Sequence, residues 1–191
     1  MPSGDRWFFH RVARVYDHLM PPAAPGPLRD GLALADGSVE RVLDVGGGTG
    51  RAVRAVDAPT RVVVDATPAM LRRVPSGLGR VLGSAPALPV ADNAVDAVLV
   101  VDALHHLPAP ARVLSEAYRV LRPGGVVVVR EFDRGTVRGR LLELAEHAIR
   151  MDSAFLTAAD LRGRLDDAGF EARILDGGFS CTVAGRKPGG P

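Results

Sequence analysis

The stretch VLDVGGGTG, from Val42 to Gly50, is the feature that most constrains the fold of this chain. Its first four residues are apolar except for Asp44, and glycines occupy four of its last five positions. A short apolar run that ends in glycines is typical of a buried strand entering a tight turn. Residues 51–56 then carry apolar side chains at helical spacing. Strand, glycine turn and helix together predict the start of a βαβ unit, in which bare glycine backbone lets a ligand approach closely.

The spacing of the glycines separates two kinds of nucleotide loop. Asp44, Gly46, Gly48 and Gly50 form the pattern D-x-G-x-G-x-G, whereas a dinucleotide fingerprint has the form G-x-G-x-x-G. Three residues beyond Gly48 the chain has Arg51 instead of the third glycine. The spacing therefore argues against a nicotinamide-dependent oxidoreductase. A glycine turn that serves only to connect a strand remains an alternative on this loop alone.

The D-x-G-x-G-x-G pattern resembles the first motif of the class I S-adenosylmethionine-dependent methyltransferases. Further phrases of the chain are similar to that family: D-A-T-P-A-M-L at 65–71, L-H-H-L-P at 104–108 and R-V-L-R-P-G-G at 119–125. The similarity extends over roughly residues 12–188. It is greatest to the branch that includes the ubiquinone/menaquinone-biosynthesis methyltransferases, although the R-N pair expected there after strand four is replaced by two histidines.

The resemblance implies an α/β fold with a doubly wound, mostly parallel, Rossmann-like seven-stranded sheet. An antiparallel hairpin is expected at the C-terminus, and helices are expected on both faces. Apolar runs between turn signals predict the strands at 41–45, 61–65, 80–85, 96–101, 126–132, 170–176 and 178–187. Helical patterns predict the helices near 5–20 and 27–36, from 67 onward, and at 111–121, 136–151 and 157–168. We expect one domain over 1–191, with an N-terminal cap helix and linker at 1–26 and the core at 27–188.

The implied cofactor is S-adenosyl-L-methionine, which leaves as S-adenosyl-L-homocysteine. An acid at the end of strand two of a βαβ unit faces the ribose hydroxyls, and here that acid is Asp65. By resemblance, Met70 packs on the adenine, Tyr16 lies near the carboxylate end, and Ser84 replaces the aspartate that commonly binds the adenine amino group. The predicted cofactor-binding residues are Tyr16, Asp44, Gly46, Gly48, Thr49, Gly50, Asp65, Ala66, Met70, Ser84, Ala85 and Val101.

Three polar residues follow strand four: Asp102, His105 and His106. Ligands of doubly wound sheets lie beyond the carboxyl ends of the strands, so we expect these side chains near the reacting methyl group. Either histidine could serve as a base for an acceptor that must lose a proton, or could orient the acceptor. The same histidines could equally support the loop through hydrogen bonds to the backbone.

Composition narrows the class of protein. The chain has 191 residues, of which 47% are hydrophobic and 24% charged, and its net charge of +2 argues against a nucleic-acid partner. The lone cysteine, Cys181, excludes a disulfide framework or a thiolate metal cluster, and we predict no metal ligand. The N-terminal residues lack the pattern of a signal peptide, and no apolar run is long enough to span a bilayer. We therefore expect a cytoplasmic location.

The predicted function is transfer of a methyl group to carbon or oxygen of a small-molecule acceptor, with a phenol- or quinone-like acceptor as one option. The alternatives are a module that binds the cofactor without turnover and a methyltransferase that acts on a macromolecule. Against base methylation, the N/D-P-P-Y/F phrase is absent after strand four. The N-terminal helix could pack on the domain, cover the substrate or touch a membrane peripherally. The sequence does not indicate the oligomeric state.

Overall fold

The computed structural model describes residues 9–11, 13, 23–148 and 154–189. These residues form one seven-stranded sheet in the order β3-β2-β1-β4-β5-β7-β6. The strands are β1 (Arg41–Val45), β2 (Thr60–Asp65), β3 (Gly79–Leu82), β4 (Val95–Val101), β5 (Leu121–Phe132), β6 (Glu171–Asp176) and β7 (Ser180–Arg186). The helices are α1 (Pro25–Leu32), α2 (Pro68–Leu71), α3 (Pro110–Val120), α4 (Val137–Ala148) and α5 (Ala158–Asp167).

The first five strands run parallel to one another. They carry apolar side chains on both faces of the sheet. Every residue of β4 is buried, as expected for the middle of a sheet that helices cover on both sides. Two clusters of buried side chains form the core, and Val98 and Leu99, which are neighbours on β4, belong to different clusters. Because successive side chains of a strand point to opposite faces, the core lies on both sides of the sheet.

The C-terminal strands close the sheet in the antiparallel sense. β7 pairs antiparallel with both β5 and β6, and Gly177 and Gly178 lie in the turn that joins β6 to β7. Cys181 lies on β7, fully buried, and burial raises the pKa of its thiol to about 12. The predicted seven-stranded, mostly parallel sheet with an antiparallel hairpin is therefore confirmed.

Two predicted elements differ from the structure. The helix expected at 51–56 is only a 3-10 turn, Val53–Ala55. Few residues separate Gly50 from Pro59, and Pro59 disfavours helix in the residue before it, so a longer helix has no room to form. Strand five, expected at 126–132, begins earlier, because α3 passes directly into β5 at Leu121. The register between β4 and β5 shifts there, between Val95 and Ala97.

The helix predicted over residues 5–20 lies mostly outside the described residues, although 9–11 are helical. In the part of the chain that the structure describes, no helix combines the length and the apolar character needed to cross a bilayer.

Candidate active site

A cleft of about 490 Å³ lies at the carboxyl ends of the central strands. Its lining residues come from the glycine loop after β1, the end of β2, the loop after β4 and the N-terminal segment. They are Phe9, Asp44, Gly46, Gly47, Gly48, Arg51, Ala52, Asp65, Thr67, Met70, Val101, Asp102, Ala103 and His106.

A second pocket, of about 300 Å³, adjoins the cleft. Gly46 and Asp65 line both spaces, so the two lie side by side at these residues. The wall of the second pocket also contains Ala66, Ser84 and Ala85. The two neighbouring spaces therefore extend from the end of β3, past the end of β2, to the end of β4.

The glycine loop needs its glycines for two different reasons. Gly46, Gly48 and Gly50 have φ of 69°, 58° and 81°, a region that residues with a side chain rarely adopt. Gly47 has an ordinary φ, but a Cβ there would lie 2.4 Å from the carboxyl carbon of Asp44. The loop thus brings bare backbone to the cleft directly above a buried acid.

Asp65 fixes the shape of this region through both carboxylate oxygens. Its Oδ2 accepts from the backbone N–H of Gly48 at 3.0 Å, and its Oδ1 accepts from the N–H of Thr67 at 2.7 Å. Each carboxylate oxygen can accept a second hydrogen bond. Burial raises the pKa of Asp65, although the two backbone hydrogen bonds oppose the rise.

Asp44 is fully buried at the end of β1 and faces the cleft. Its Oδ2 accepts from the N–H of Val53 at 3.2 Å, while its Oδ1 has no hydrogen-bond partner among the described residues. Burial, with a smaller contribution from nearby Asp65, raises the pKa of Asp44 to about 7. A half-satisfied buried carboxyl is costly, which is the state expected of an acid whose second partner is a ligand.

Arg51 and Asp102 form a buried ion pair in the cleft. The guanidinium Nη2 lies 2.8 Å from Oδ2 of Asp102, and the two side chains are 7% and 13% exposed. Asp102 directly follows β4 with a φ of 50° and donates its backbone N–H to the carbonyl of Arg130. Burial raises the pKa of Asp102, and the Arg51 guanidinium opposes that rise. The pair joins the glycine loop to the loop after β4.

The two adjacent histidines face different surroundings. Both belong to the 3-10 turn Leu104–His106 and both are buried. His106 lines the cleft and meets the ring of Phe9 edge-on, with ring centroids 5.2 Å apart. Burial, followed by the charge of His105, lowers the pKa of His106 to about 2. His106 therefore presents a neutral imidazole ring to the cleft.

His105 points away from the cleft toward Glu131 near the end of β5. Its Nδ1 lies 2.5 Å from Oε2 of Glu131, and Oε1 of the same carboxylate accepts from the N–H groups of Ala103 and Leu104. Glu131 thus holds the start of the 3-10 turn and orients the His105 ring. Burial lowers the pKa of His105, but the carboxylates, Glu131 above all, outweigh burial and leave it raised.

Glu146 of α4 reaches the other side of the same ring. Its Oε2 lies 4.0 Å from Nε2 of His105, and this Nε2 has no hydrogen-bond partner among the residues that the structure describes. His105, His106 and Glu146 offer ligand atoms that all lie within 4.8 Å of one another. Beside the cleft wall at His106, the fold therefore gathers a compact group of two imidazoles and a carboxylate.

The structure brings most of the predicted site residues to the two adjoining spaces. The cleft contains Asp44, Gly46, Gly48, Asp65, Met70, Val101, Asp102 and His106. The adjoining pocket contains Ala66, Ser84 and Ala85. Thr49 and Gly50 are buried but line neither space, and His105 lies behind the cleft wall. Tyr16 lies outside the described residues.

Three residues that shape the site were not predicted from the sequence as site residues. Arg51 was noted only because it was not glycine, and no role was predicted for Glu131 or Glu146. The position of Arg51, directly after the glycine loop, was an available signal. For Glu146 no signal was available, because α4 comes near His105 only through the fold.

The comparisons with known proteins agree with this geometry. Residues 43–129 match the family model described as a methyltransferase domain. The chain is 32% identical over 184 residues to a ubiquinone/menaquinone biosynthesis C-methyltransferase of Methylobacterium nodulans, covering 77% of this chain and 73% of that protein. It is 32% identical over 160 residues to a malonyl-[acyl-carrier protein] O-methyltransferase of Methylococcus capsulatus, covering 75% of this chain and 58% of that protein. Further curated relatives are covered over less than half of their length.

The fold is shared with solved structures as well. A S-adenosylmethionine-dependent methyltransferase from Thermotoga maritima superposes with a TM-score of 0.73 at 25% identity, covering 96% of this chain and 93% of that one. The sheet order, the glycine loop over a buried acid and these matches agree with one another. The chain belongs to the class I S-adenosylmethionine-dependent methyltransferases.

Proposed function

We propose that this chain binds S-adenosylmethionine along the two adjoining spaces and transfers its methyl group to carbon or oxygen of a small phenol- or quinol-like acceptor. The observation that carries the proposal is that the two spaces lie side by side and share Gly46 and Asp65 in their walls. A ligand with a nucleoside at one end and an amino acid at the other needs a site of this elongated kind.

The residues present fit that cofactor. The pocket at Ala66, Ser84 and Ala85 would hold the adenine, and the second lone pairs of the Asp65 carboxylate would accept from the ribose hydroxyls. The amino-acid end would lie along the glycine loop. There the unpartnered Oδ1 of Asp44 offers a buried acceptor beneath the loop, which a cationic ligand would stabilise in its charged form.

When bound, the sulfonium of the cofactor supplies an activated methyl group for direct in-line displacement. The protein contributes position, since Met70 and Val101 bound the cleft and hold its contents against the loop. Phe9 and His106 pack against each other on the acceptor side and would exclude water from the reacting groups. His106 and Asp102 are the polar groups that would contact the acceptor. His105 would act through its neighbours, since it lies behind the wall.

The choice of acceptor rests on the relatives and on the cleft together. One relative is named for C-methylation in quinone biosynthesis and another for O-methylation of a carrier-bound malonyl group. The cleft wall combines an aromatic ring with a neutral imidazole, which suits a flat ring bearing a hydroxyl group.

The test combines binding with transfer. By titration calorimetry, Asp65→Ala should weaken S-adenosylmethionine binding about ten- to a hundredfold, because charge-assisted hydrogen bonds to the ribose are lost. The matched control is Asp57→Ala, which removes an exposed acid beyond the other end of β2 and should leave the affinity unchanged. Methyl-labelled cofactor should then label simple hydroquinones and phenols, as read by mass spectrometry.

Two results would contradict the proposal. Equal affinity of the Asp65→Ala variant and the parent protein would remove the proposed cofactor site. Tight cofactor binding without label in any hydroquinone, phenol or cell extract would favour a module that binds the cofactor without turnover.

A further inference from the structure

We propose that His105, His106 and Glu146 bind a divalent transition-metal ion of the Zn²⁺ class at the acceptor side of the cleft. Their ligand atoms lie within 4.8 Å of one another, and both histidines are buried. Glu146 is contributed by α4 and the histidines by the loop after β4, so the site exists only in the folded chain.

The unpartnered ring nitrogen of His105 is the main argument. Nδ1 of the ring lies against Oε2 of Glu131, so Nε2 is the ring nitrogen that remains for another partner. That Nε2 has no hydrogen-bond partner among the described residues, and the His105 side chain is only 2% exposed. A buried polar atom without a partner is costly, and an oxygen of Glu146 lies 4.0 Å from it, so a metal ion held between the two atoms would give this nitrogen its partner.

The arrangement around His105 is also that of a metal ligand. Histidines that bind metal ions commonly donate the other ring N–H to a carboxylate, which fixes the tautomer and raises the basicity of the ligating nitrogen. Glu131 has this position relative to His105. The same carboxylate accepts from Ala103 and Leu104, so its own orientation is fixed.

The ligand set selects the kind of ion. Two imidazoles and one carboxylate form the set that binds Zn²⁺ in several hydrolytic enzymes, and imidazole suits Zn²⁺, Co²⁺ and Fe²⁺ much better than Mg²⁺ or Ca²⁺. Three protein ligands leave at least one coordination position open. Because His106 lines the cleft, the open position would face the acceptor.

The ligand atoms have to move closer together on binding. Metal–nitrogen and metal–oxygen distances near 2.0–2.2 Å place two ligand atoms of a tetrahedral ion about 3.4 Å apart, so the 4.0 Å between His105 and Glu146 has to shorten. The widest separation in the group, up to 4.8 Å, has to shorten by about 1 Å or more. Glu146 is the most exposed of the three residues, with its side chain 15% exposed.

Binding of the ion does not depend on the proposed function, whereas its use does. On the proposed function, the ion would hold a hydroxyl oxygen of the acceptor and make that oxygen more acidic, with the proton passing to water. A phenol or enol that binds as an anion is therefore the class of acceptor that this site would favour.

The experiment measures metal binding in the absence of cofactor and acceptor. The full chain is stripped with a chelator and titrated with Zn²⁺ by calorimetry and with Co²⁺ by visible absorption. We expect one ion per chain and Co²⁺ bands of four- or five-coordinate geometry. Glu146→Gln should weaken Zn²⁺ binding at least about tenfold, because a charged ligand is lost. Glu143→Gln is the control: it lies on the same helix, pairs with Arg134, and should bind like the parent protein.

Either of two outcomes overturns the proposal. Zn²⁺ that fails to bind at one ion per chain would mean that a proton on His105 alone balances the two carboxylates. Equal Zn²⁺ affinity in the parent and Glu146→Gln proteins would place the ion elsewhere. A protein that binds Zn²⁺ as expected but labels no acceptor would count against the proposed function only.

Discussion

The side of the cleft proposed for the cofactor (the cofactor side) and the side proposed for the acceptor (the acceptor side) are built in different ways. On the cofactor side, the contacts join residues close in sequence: Asp65 holds Gly48 seventeen residues away, and Asp44 holds Val53 nine residues away. On the acceptor side, Glu131 holds the His105 ring twenty-six residues away, and α4 adds Glu146.

The difference has a physical consequence. On the cofactor side, the contacts are made by backbone groups and single carboxylates. This side can therefore be recognised in the sequence from glycines and acids at fixed spacing. The acceptor side is a network of side chains that the fold gathers from separate elements, and many combinations of residues could fill it. A relative can therefore share the first region closely and differ in the second.

The largest effect is expected from breaking the ion pair between Arg51 and Asp102, which joins the two sides. Arg51→Ala should lower the free energy of unfolding by about 3–5 kcal/mol, because it leaves the buried Asp102 carboxylate without its cation. Urea unfolding measures the loss. The double variant Arg51→Ala/Asp102→Asn should recover much of it, since no uncompensated charge remains. A loss well below about 1 kcal/mol would indicate that the two sides are not coupled by this pair.

A smaller effect is expected from a change confined to the acceptor side. Glu131→Gln should lower the free energy of unfolding by about 1–3 kcal/mol, because one amide cannot accept from two backbone N–H groups and from His105 as the carboxylate does. The amide N–H₂ would face Nδ1, so the ring proton of His105 should move to Nε2, which ¹⁵N chemical shifts of the ring report.

The same variant, Glu131→Gln, also tests whether a change on the acceptor side alters binding of the cofactor. Affinity for S-adenosylmethionine should stay within a factor of about three of the parent value, since Glu131 lines neither of the spaces proposed for the cofactor. A large loss of affinity would show that the two sides do not act separately.

The last test concerns Asp44 on the cofactor side and measures how the free energy of unfolding changes per pH unit. The pKa of Asp44 is about 7 in the folded protein against 3.8 for the free side chain. The folded state therefore holds the proton more tightly, and its contribution to stability is lost as pH rises from about 4 to about 7, by at most about 1.4 kcal/mol per pH unit.

Asp44→Asn should remove this slope from urea unfolding curves measured between about pH 4 and 7, the interval in which the folded and unfolded states hold different numbers of protons. Asp57→Asn, an exposed acid, is the matched control and should retain the slope. If the parent protein and Asp44→Asn changed stability with pH in parallel, Asp44 would be ionised throughout.

Much of the fold and of the cofactor side could be predicted from the sequence. Continuous apolar runs such as β4 and the breakers around them determine strands, and glycine spacing determines the loop. The length of the helix after Gly50 was predicted wrongly. The helical spacing of the apolar side chains does not show how few residues remain before Pro59. The roles of His105 and His106 could not be separated from the sequence. Adjacent residues of a 3-10 turn point in different directions, and only the fold shows that His105 meets Glu131 and His106 meets Phe9.

The burial of Cys181 gives the chain an internal reporter. This thiol lies near the start of β7, the strand between β5 and β6, and it is the single cysteine of the sequence. Thiolate is the reactive form, and burial keeps the proton on sulfur, so alkylating reagents can attack only after β7 separates from its neighbours. The rate of alkylation therefore follows the opening of the C-terminal edge of the sheet, and a ligand that tightens the whole domain will slow it.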